Sequence, residues 1–455
     1  MNRNIDVIIL CGGRGSRLLK ISKDIPKPLV NISYNRCALD FIIRHLSKNK
    51  IRKIFLSICK KQELFENYIK SRNYKNVFIS KEKNYLGTGG AIKNTLKKNK
   101  VSNQFFVVNG DTISPVSEKI ALFKKRSKGQ NVLGISKKNN SNRYGAISVK
   151  KNNFFFEFKN NLKSLVNNGN YLFYKKDVFN FKKKVFSLEN DFLPYLLSKK
   201  RLRILNMKKT KFTDIGVPSS FKNFSRKLDQ KKLNILLFCR KNDILSQRIK
   251  NIIDKKNVNL TVVYSVKRFE KLSKRVLKKN YDFIFSYRSY QILKPSLLSK
   301  SFFAINFHPS PPEYRGSGGV NFALKNGEKN FGVTTHFINN EIDHGKILLV
   351  KNFRINKQDN LSSLLQKTHM QLYLLARSFL TKLFNNKIDL IKVSVKNKFI
   401  WSKKINYLGN LNDLYKIPKN IKKSKLNKLI KSTYLGKNYR PFVDLYGKKF
   451  FYEPN

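Results

Sequence analysis

The chain has 455 residues, of which 41% are hydrophobic, so it is long enough for two or three domains with cores of their own. Its formal net charge of +68 at pH 7 favours polyanionic ligands such as nucleotides and folates. The lysines are spread over every segment, which does not favour the concentrated basic stripe of a nucleic-acid-binding protein. The four cysteines lack CxxC spacing, and no apolar run reaches the ~18 residues of a membrane-spanning helix, so we expect a cytoplasmic protein without a disulfide framework.

The first predicted element is a buried strand at residues 7–11 that runs into a glycine-rich loop. Glycines leave the backbone amides accessible to an anion, and two cations follow close by. The residues that we expect to contact a triphosphate are Gly12, Gly13, Gly15, Arg17 and Lys27. Pro26 and Pro28 flank the lysine and limit where its ammonium reaches. The glycines alone also fit a tight turn, because they lack the full GxGxxG or GK[ST] spacing.

Strand and helix patterns alternate after this loop, with predicted helices at 38–49 and 65–72 and a strand at 51–57. The alternation predicts a parallel, doubly wound sheet that binds its ligand at the carboxyl ends of the strands. A second glycine-rich segment then opens a helix, and we expect its backbone to pack against a base or ribose. The residues of that segment are Leu86, Gly87, Gly89 and Gly90.

Two aspartates are candidates for binding a magnesium ion. Asp111 follows Gly110 at the carboxyl end of a predicted buried strand, residues 105–108, and Asp214 lies near the end of the same predicted domain. Mg²⁺ is a hard cation that prefers oxygen ligands. A solitary aspartate after a strand is also common as a turn residue.

The first half of the chain resembles the sugar-1-phosphate nucleotidyltransferases, and most nearly their heptose- and mannose-1-phosphate guanylyltransferase branch. The segments that carry the resemblance are GGRGSR at 12–17, PKP at 26–28, LGTGGA at 86–91, GD at 110–111, SLE at 187–189 and DIG at 214–216. The resemblance implies attack of a sugar 1-phosphate on the α-phosphorus of a nucleoside triphosphate, GTP in this branch, with release of pyrophosphate. It also implies that Asp111 and Asp214 hold Mg²⁺ and that Arg17 and Lys27 act on the phosphates.

The same resemblance assigns three residues to the sugar, namely Glu157, Asn167 and Gly169. The lysine of the family's Glu-Lys pair is displaced here to Lys159, and Asn168 replaces the alanine of the family's Asn-Ala-Gly loop. These departures leave the sugar unidentified.

A polar, basic segment at residues 221–232 is a predicted linker, and a buried strand at 233–239 begins a second α/β domain. The reactive side chains of this domain concentrate in the segments INFHPS and IDHG. Asn306 and His308 are two residues apart on an extended segment, so both side chains face the same way. An amide and an imidazole on one face stabilise an oxyanion and transfer a proton, and Asp343 is a carboxylate that orients the imidazole or accepts a proton. A structural histidine is the alternative.

These segments resemble the formyltransferases that use formyl-tetrahydrofolate, including glycinamide-ribonucleotide, methionyl-tRNA and amino-sugar members. The resemblance implies that Asn306, His308 and Asp343 are the catalytic trio and that the pterin lies near Ser286, Tyr287 and Arg288. It further implies that a primary amine attacks the formyl carbon while Asn306 and a protonated His308 stabilise the oxyanion. The family pattern does not require His336 or His344.

We therefore expect two doubly wound, Rossmann-like α/β domains, the first GT-A-like, with a small mixed C-terminal subdomain, at residues 1–228, 229–387 and 388–455. The expected protein is a bifunctional enzyme of nucleotide-sugar biosynthesis, such as lipopolysaccharide biosynthesis, that acts on small molecules. The alternatives are formyl transfer to initiator tRNA and a nucleic-acid-binding protein with relict sites. The sequence leaves the base, the sugar, the formyl acceptor and the oligomeric state open.

Overall fold

The computed structural model describes residues 5–13, 18–22, 24–72, 74–137, 146–150, 153–157, 165–207, 210–268, 270–437 and 439–454. Contacts within the chain divide it into two compact units, Met1–Ile69 with Tyr74–Lys231, and Lys70–Asn73 with Lys232–Asn455. The predicted domain boundaries, which subdivide the second unit further, stay predictions. Among the described residues, no helix has both the length and the apolar character needed to cross a membrane.

The first unit is built on a mixed sheet of nine strands with one two-stranded ribbon beside it. The strands are β1 (Ile5–Leu10), β2 (Ile51–Ile58), β3 (Val77–Lys81), β4 (Gln104–Asn109), β5 (Thr112–Ile113), β6 (Asn131–Lys137), β7 (Ala146–Lys150), β8 (Asn153–Glu157), β9 (Leu165–Tyr174), β10 (Leu202–Asn206) and β11 (Thr213–Asp214). The main path of the sheet is β10-β6-β9-β4-β1-β2-β3.

Helices flank this sheet and alternate with its first four strands. They are α1 (Leu19–Ser22), α2 (Ala38–Leu46), α3 (Gln62–Ser71), α4 (Gly87–Lys98), α5 (Ile120–Ser127), α6 (Lys175–Asn180), α7 (Leu193–Ser198) and α8 (Pro218–Asp229). Shorter turns of 3₁₀-helix lie at Lys27–Leu29 and Pro115–Lys119, and a π-helical turn lies at Leu188–Phe192.

Strand β1 lies in the middle of the sheet, where it pairs in parallel with both β2 and β4. Its apolar run is therefore buried on both faces, with Val7, Ile8 and Ile9 fully inaccessible to solvent. The parallel order β3-β2-β1-β4 confirms the predicted α/β class. The sheet is not parallel throughout, because β9 lies antiparallel to both β4 and β6.

The predicted linker at 221–232 was also wrong over most of its length. Helix α8 covers it, and Phe221 and Leu228 are buried while Phe224 packs edge to face on Phe41 with ring centroids 5.5 Å apart. The segment is rich in charge because its other face is solvated, and that polarity concealed an amphipathic helix.

The second unit is built on a six-stranded sheet in the order β13-β12-β14-β15-β17-β18. The strands of this unit are β12 (Leu233–Arg240), β13 (Val258–Ser265), β14 (Tyr281–Tyr287), β15 (Ser301–His308), β16 (Arg315–Gly316), β17 (Asn330–Phe337), β18 (Ile347–Arg354), β19 (Ile405–Asn406), β20 (Phe442–Leu445) and β21 (Lys448–Phe451). The first four strands of the sheet are parallel, and β17 and β18 add an antiparallel edge.

The helices of this unit cover the sheet and continue into the C-terminal segment. They are α9 (Ile244–Asp254), α10 (Lys274–Lys278), α11 (Pro295–Leu298), α12 (Gly319–Asn326), α13 (Leu361–Phe384), α14 (Leu390–Lys396), α15 (Leu408–Leu414) and α16 (Lys423–Thr433). The segment after residue 388 is therefore mixed, with three helices, the short strand β19 that pairs with β16, and the hairpin β20–β21.

Candidate active sites

A cavity of about 500 Å³ opens at the carboxyl ends of β1 and β4 in the first unit. Four of the predicted ligand contacts line it, namely Gly12, Gly13, Lys27 and Gly87, together with Asp111. This position agrees with the rule that α/β sheets bind ligands at the carboxyl ends of their strands. The predicted residues Gly15 and Arg17 lie outside the described residues.

Asp111 and Asp214 come together although 102 residues separate them in the sequence. The ribbon of β5 and β11 brings them together, because it pairs Asp214 with Thr112, the residue after Asp111. The amide of Ile215 donates to the carbonyl of Asp111 at 2.9 Å, and the amide of Gly216 donates to Asp214 Oδ1 at 2.7 Å.

Gly216 shows how close the reacting groups are. A Cβ at this position would lie 2.8 Å from Asp214 Oδ1, 3.0 Å from Asp111 Oδ2 and 3.6 Å from Lys27 Nζ. One oxygen of each carboxylate and the Lys27 ammonium thus lie within 3.6 Å of the same point beside Gly216. In the described part of the chain, no cluster of three or more histidine, cysteine or carboxylate side chains has the geometry of a metal site. A pair of carboxylates instead fits Mg²⁺, which is commonly bound by one or two carboxylates together with substrate phosphates.

Glu82 is a residue of this cavity that the sequence reasoning missed. Its carboxylate is buried beside the glycine loop, where a Cβ on Gly12 would lie 2.9 Å from Oε1. It accepts hydrogen bonds from the amide of Leu86 at 3.2 Å and from the hydroxyl of Ser57 at 3.4 Å. Burial raises the pKa of Glu82 in spite of these two hydrogen bonds. The available signal was that Glu82 lies four residues before the LGTGGA segment. A glutamate by itself does not indicate a ligand contact.

The predicted residues of the second glycine-rich segment divide, because Gly87 lines the cavity whereas Gly89 and Gly90 pack against protein. Gly89 and Gly90 are buried, and their amides donate to the carbonyl of Phe186 at 3.0 and 3.3 Å. A Cβ on Gly89 would overlap the Phe186 ring, and one on Gly90 would lie 2.6 Å from the carbonyl of Lys184. These two glycines therefore admit a neighbouring segment of protein, and neither they nor Leu86 line the cavity.

The predicted sugar loop lies on β9. Asn167 accepts from the amide of Gly169 at 2.9 Å and donates to the Tyr171 hydroxyl at 2.7 Å. Gly169 adopts a φ of +72° against Asn109, which lines the cavity. Asn168 is buried and donates to Ser136 at 3.1 Å, so its side chain is accommodated inside the protein. The strand that carries Glu157 is described, but its side chain, like Lys159, lies outside the described residues.

The second unit has a cavity of about 430 Å³ that contains the predicted trio Asn306, His308 and Asp343. His308 Nδ1 lies 3.4 Å from Asp343 Oδ2, and the Asn306 amide nitrogen donates to Asp343 Oδ1 at 3.3 Å. The two residues of β15 thus face one carboxylate from a loop 35 residues farther along the chain.

Arg315, which lies between His308 and Asp343 in the sequence, holds the loop of Asp343 in place. Arg315 is buried and donates from Nε to the carbonyl of Ile342 at 2.7 Å. Although burial opposes ionisation, the rings of His308 and His336 and the backbone of Gly316 lower the pKa of Asp343 to about 2. Asp343 is therefore a carboxylate at neutral pH.

The ring of His308 is buried in the free protein. Burial lowers the pKa of His308 below its ordinary value, partly offset by the charge of Asp343, so the ring is neutral near pH 7 in the free protein. Its second nitrogen, Nε2, lies 3.3 Å from the carbonyl of Tyr314. Both ring nitrogens thus face acceptors, and the site can hold the proton that the ring gains during the reaction.

His336 and Trp401 complete the network, and the sequence reasoning assigned a role to neither. His336 Nδ1 lies 2.7 Å from the carbonyl of Phe337, which fixes the proton on that nitrogen and leaves Nε2 to accept from the Asn306 amide at 3.2 Å. Trp401 lies edge to face against His336 and His308, with centroids 4.9 and 5.8 Å apart, and donates to the carbonyl of Gly345 at 2.7 Å. Because these residues are distant in sequence, no local pattern could connect them.

The predicted pterin residues divide between two environments. Ser286 and Arg288 line the cavity, but Tyr287 points away, with its ring edge to face on Phe307 at 6.1 Å. The alternation of side chains along β14 accounts for this division. His344 is largely exposed and pairs with Glu341 outside the trio.

Comparison with known proteins agrees with this division into two sites. Residues 6–231 match the family described as nucleotidyl transferase, and residues 211–375 match the family described as formyl transferase. The D-glycero-alpha-D-manno-heptose 1-phosphate guanylyltransferase of Campylobacter jejuni is 36% identical over 227 residues, which is 48% of this chain and 98% of that protein. The enzyme of the same name from Aneurinibacillus thermoaerophilus is 31% identical over 232 residues, 49% of this chain and 98% of that protein.

Among solved structures, a sugar N-formyltransferase from a Shewanella species covers 49% of this chain and 97% of its own, at 19% identity and a TM-score of 0.41. The first unit matches nearly the whole length of these two guanylyltransferases, and the formyl transferase match lies mostly in the second unit. The chain therefore belongs to the nucleotidyl transferase family through its first unit, and a segment that lies mostly in its second unit matches the formyl transferase family.

Proposed function

We propose that the first unit transfers a guanylyl group from GTP to a heptose 1-phosphate, and that the second formylates the amine of an amino sugar from formyl-tetrahydrofolate. The relatives named above act on a heptose 1-phosphate, which supports the first substrate. The observation that carries the proposal is the convergence of each set of reacting residues inside its own unit. We extend the proposal to the cytoplasm and to the biosynthesis of a surface polysaccharide such as lipopolysaccharide.

Glu82 supports guanine as the base. The Watson–Crick edge of guanine carries two N–H donors side by side, and a carboxylate can accept from both. Adenine and the pyrimidine bases each present at least one acceptor among the corresponding positions, which a buried carboxylate would repel. Because burial raises the pKa of Glu82, a base that donates two hydrogen bonds also stabilises its ionised form.

The chemistry of the first site consists of alignment and charge neutralisation. A phosphate oxygen of the sugar 1-phosphate forms a bond to the α-phosphorus of GTP as the bond to pyrophosphate breaks. Asp111 and Asp214 would hold Mg²⁺, which when bound neutralises charge on the phosphates. Lys27, whose ammonium lies beside both carboxylates, stabilises the additional negative charge on the reacting phosphates.

The chemistry of the second site moves a proton as well as a formyl group. The substrate amine forms a bond to the formyl carbon and loses a proton, and the bond from that carbon to the folate nitrogen then breaks as this nitrogen takes up a proton. Neutral His308 takes a proton that the amine loses and becomes an imidazolium between Asp343 and the carbonyl of Tyr314. The Asn306 amide donates to His336 and to Asp343 in the free protein, and one of these two N–H groups would turn to the oxyanion of the tetrahedral intermediate.

The test is a substrate panel on the full chain. We would follow pyrophosphate release with each of the four nucleoside triphosphates and a set of sugar 1-phosphates, and formyl transfer to nucleotide-linked amino sugars and to aminoacylated initiator tRNA. We expect pyrophosphate only with GTP and a heptose or mannose 1-phosphate, and formylation of an amino sugar. Release with another triphosphate would contradict the assignment of guanine, and formylation of the tRNA alone would contradict the assignment of an amino sugar.

A further inference from the structure

The cavity of the second unit has a cationic region that the formyl-transfer residues do not explain. Arg240 is the last residue of β12, and Arg288 directly follows β14. These strands are paired in parallel up to Cys239 and Tyr287, so the two arginines lie side by side at the carboxyl edge of the sheet. Both line the cavity, as does His369 from α13.

The guanidinium groups are held in place but have unused donors. Arg288 donates to Asp243 at 2.6 Å and is only 10% exposed, and Arg240 lies over the ring of Tyr290 at 4.3 Å. The Nε atoms of both arginines are buried and have no hydrogen-bond partner in the described part of the chain. These two atoms are closed off from the cavity, so the terminal nitrogens of the guanidinium groups are the donors that an acceptor in the cavity would meet.

The charges of this region do not cancel. Asp243 is the carboxylate that pairs with Arg288, while Arg240 has an aromatic neighbour. Burial and then the charges of Arg288 and Arg240 lower the pKa of His369 to about 4, so its imidazole is neutral at pH 7. At the ends of β12 and β14, two guanidinium groups thus face one carboxylate, while Arg268, Glu341 and Asp343 lie elsewhere in the cavity lining.

We propose that Arg240 and Arg288 form an oxyanion subsite that binds a phosphate or carboxylate group of a substrate of formyl transfer. Guanidinium groups match the geometry of both anions with paired hydrogen bonds. The anion has two sources in this reaction, the diphosphate of a nucleotide-linked amino sugar and the glutamate carboxylates of the folate. The inference rests on the proposed formyl transfer, because it concerns how a substrate of that reaction is held.

Trp401 makes this subsite measurable in the full chain. It is the single tryptophan of the sequence and lies against His308 and His336, so its emission reports on this cavity without a background from the first site. The probes are GDP and 5-formyl-tetrahydrofolate, each titrated separately. The variants are Arg240→Gln and Arg288→Lys, and the second keeps a cation beside Asp243 in case the loss of charge there prevents folding. Arg248→Gln is the matched control, because Arg248 is an exposed arginine of α9 that does not line the cavity.

We expect both variants to weaken one probe by about 10-fold or more and to leave the other within about 2-fold, while the control binds both as the wild type does. Weaker GDP binding would identify the acceptor diphosphate, and weaker folate binding would identify the glutamate tail. Unchanged affinity for both probes in both variants would overturn the subsite. If the wild-type chain transferred no formyl group to any amino sugar, the proposed function would fail instead, which the panel assay detects separately.

Discussion

The two reaction sites of this chain handle charge in opposite ways. In the first unit, two carboxylates and a lysine surround an open point, and the phosphates of the substrate supply the remaining partners. In the second unit, Asn306, His308, His336 and Asp343 already contact one another in a buried network. The difference follows from the chemistry, because phosphoryl transfer needs positioning and neutralisation, whereas formyl transfer needs a residue that takes up a proton. It also means that the two sites should respond to different perturbations.

The largest effect is expected when His308, the proton acceptor of the second site, is removed. We expect His308→Ala to lower kcat for formyl transfer by about 10³-fold, because the ring takes up the proton of the amine. Pyrophosphate release should be unchanged, since His308 belongs to the second unit. His344→Ala is the control, because this histidine is exposed and pairs with Glu341. Loss of formyl transfer in the control, or of pyrophosphate release in His308→Ala, would contradict the assignment.

The first site should be sensitive to its carboxylates and insensitive to the histidine. We expect Asp111→Asn to lower guanylyl transfer by about 10²-fold or more, because one charged oxygen of the pair beside Gly216 is lost. Formyl transfer should persist at the wild-type rate. Glu63→Gln, which neutralises an exposed carboxylate of α3, is the control. Chelation of divalent metal should inhibit pyrophosphate release and spare formyl transfer, and inhibition of both would contradict the separation.

A smaller effect should distinguish recognition from chemistry within the first site. We expect Glu82→Gln to lower kcat/KM for GTP by about 10- to 100-fold, because a paired hydrogen bond to a base contributes ~1–3 kcal/mol of discrimination. The amide offers one acceptor where the carboxylate offers two, so the preference over other triphosphates should narrow. Initial rates with all four triphosphates measure this preference, and an unchanged ratio would show that Glu82 does not read the base.

The smallest effect concerns stability at low pH. His369 has a pKa of about 4 in the folded chain, below the ~6.5 of an unperturbed histidine, so unfolding favours proton uptake between these values. Its contribution to stability is present above pH ~6.5 and is lost as the pH falls toward ~4. We expect His369→Gln to lose less stability than the wild type between pH ~7 and ~5 in denaturant unfolding. Equal losses in both proteins would show that this ring does not titrate as described.

Much of the fold could be predicted from the sequence, because the buried strands and amphipathic helices have clear periods. The strand predicted at 51–57 is β2 with one more residue at its end, and the helix predicted at 38–49 is α2, which ends at Leu46. The antiparallel strand β9 could not be predicted, since a buried strand has the same composition in either direction. The helix α8 was mistaken for a linker because its exposed face is basic.

Site residues that belong to a sequence motif could be predicted. Site residues that only tertiary packing brings together could not. Asp111 and Asp214 lie close together because β5 pairs with β11. Strands of two residues have no recognisable pattern in the sequence, so this pairing could not be predicted. Gly89 and Gly90 looked like ligand contacts, yet their missing side chains admit Phe186 and Lys184. Trp401 reaches His336 from 65 residues away in sequence, and no local pattern records such a contact.

The most direct test of two independent reaction centres is a double variant measured in one preparation. Asp111→Asn with His308→Ala should retain the pyrophosphate release of Asp111→Asn alone and the formyl transfer of His308→Ala alone, because the two changes lie in separate units. A residual activity in the double variant that falls clearly below that of the corresponding single variant would contradict the account.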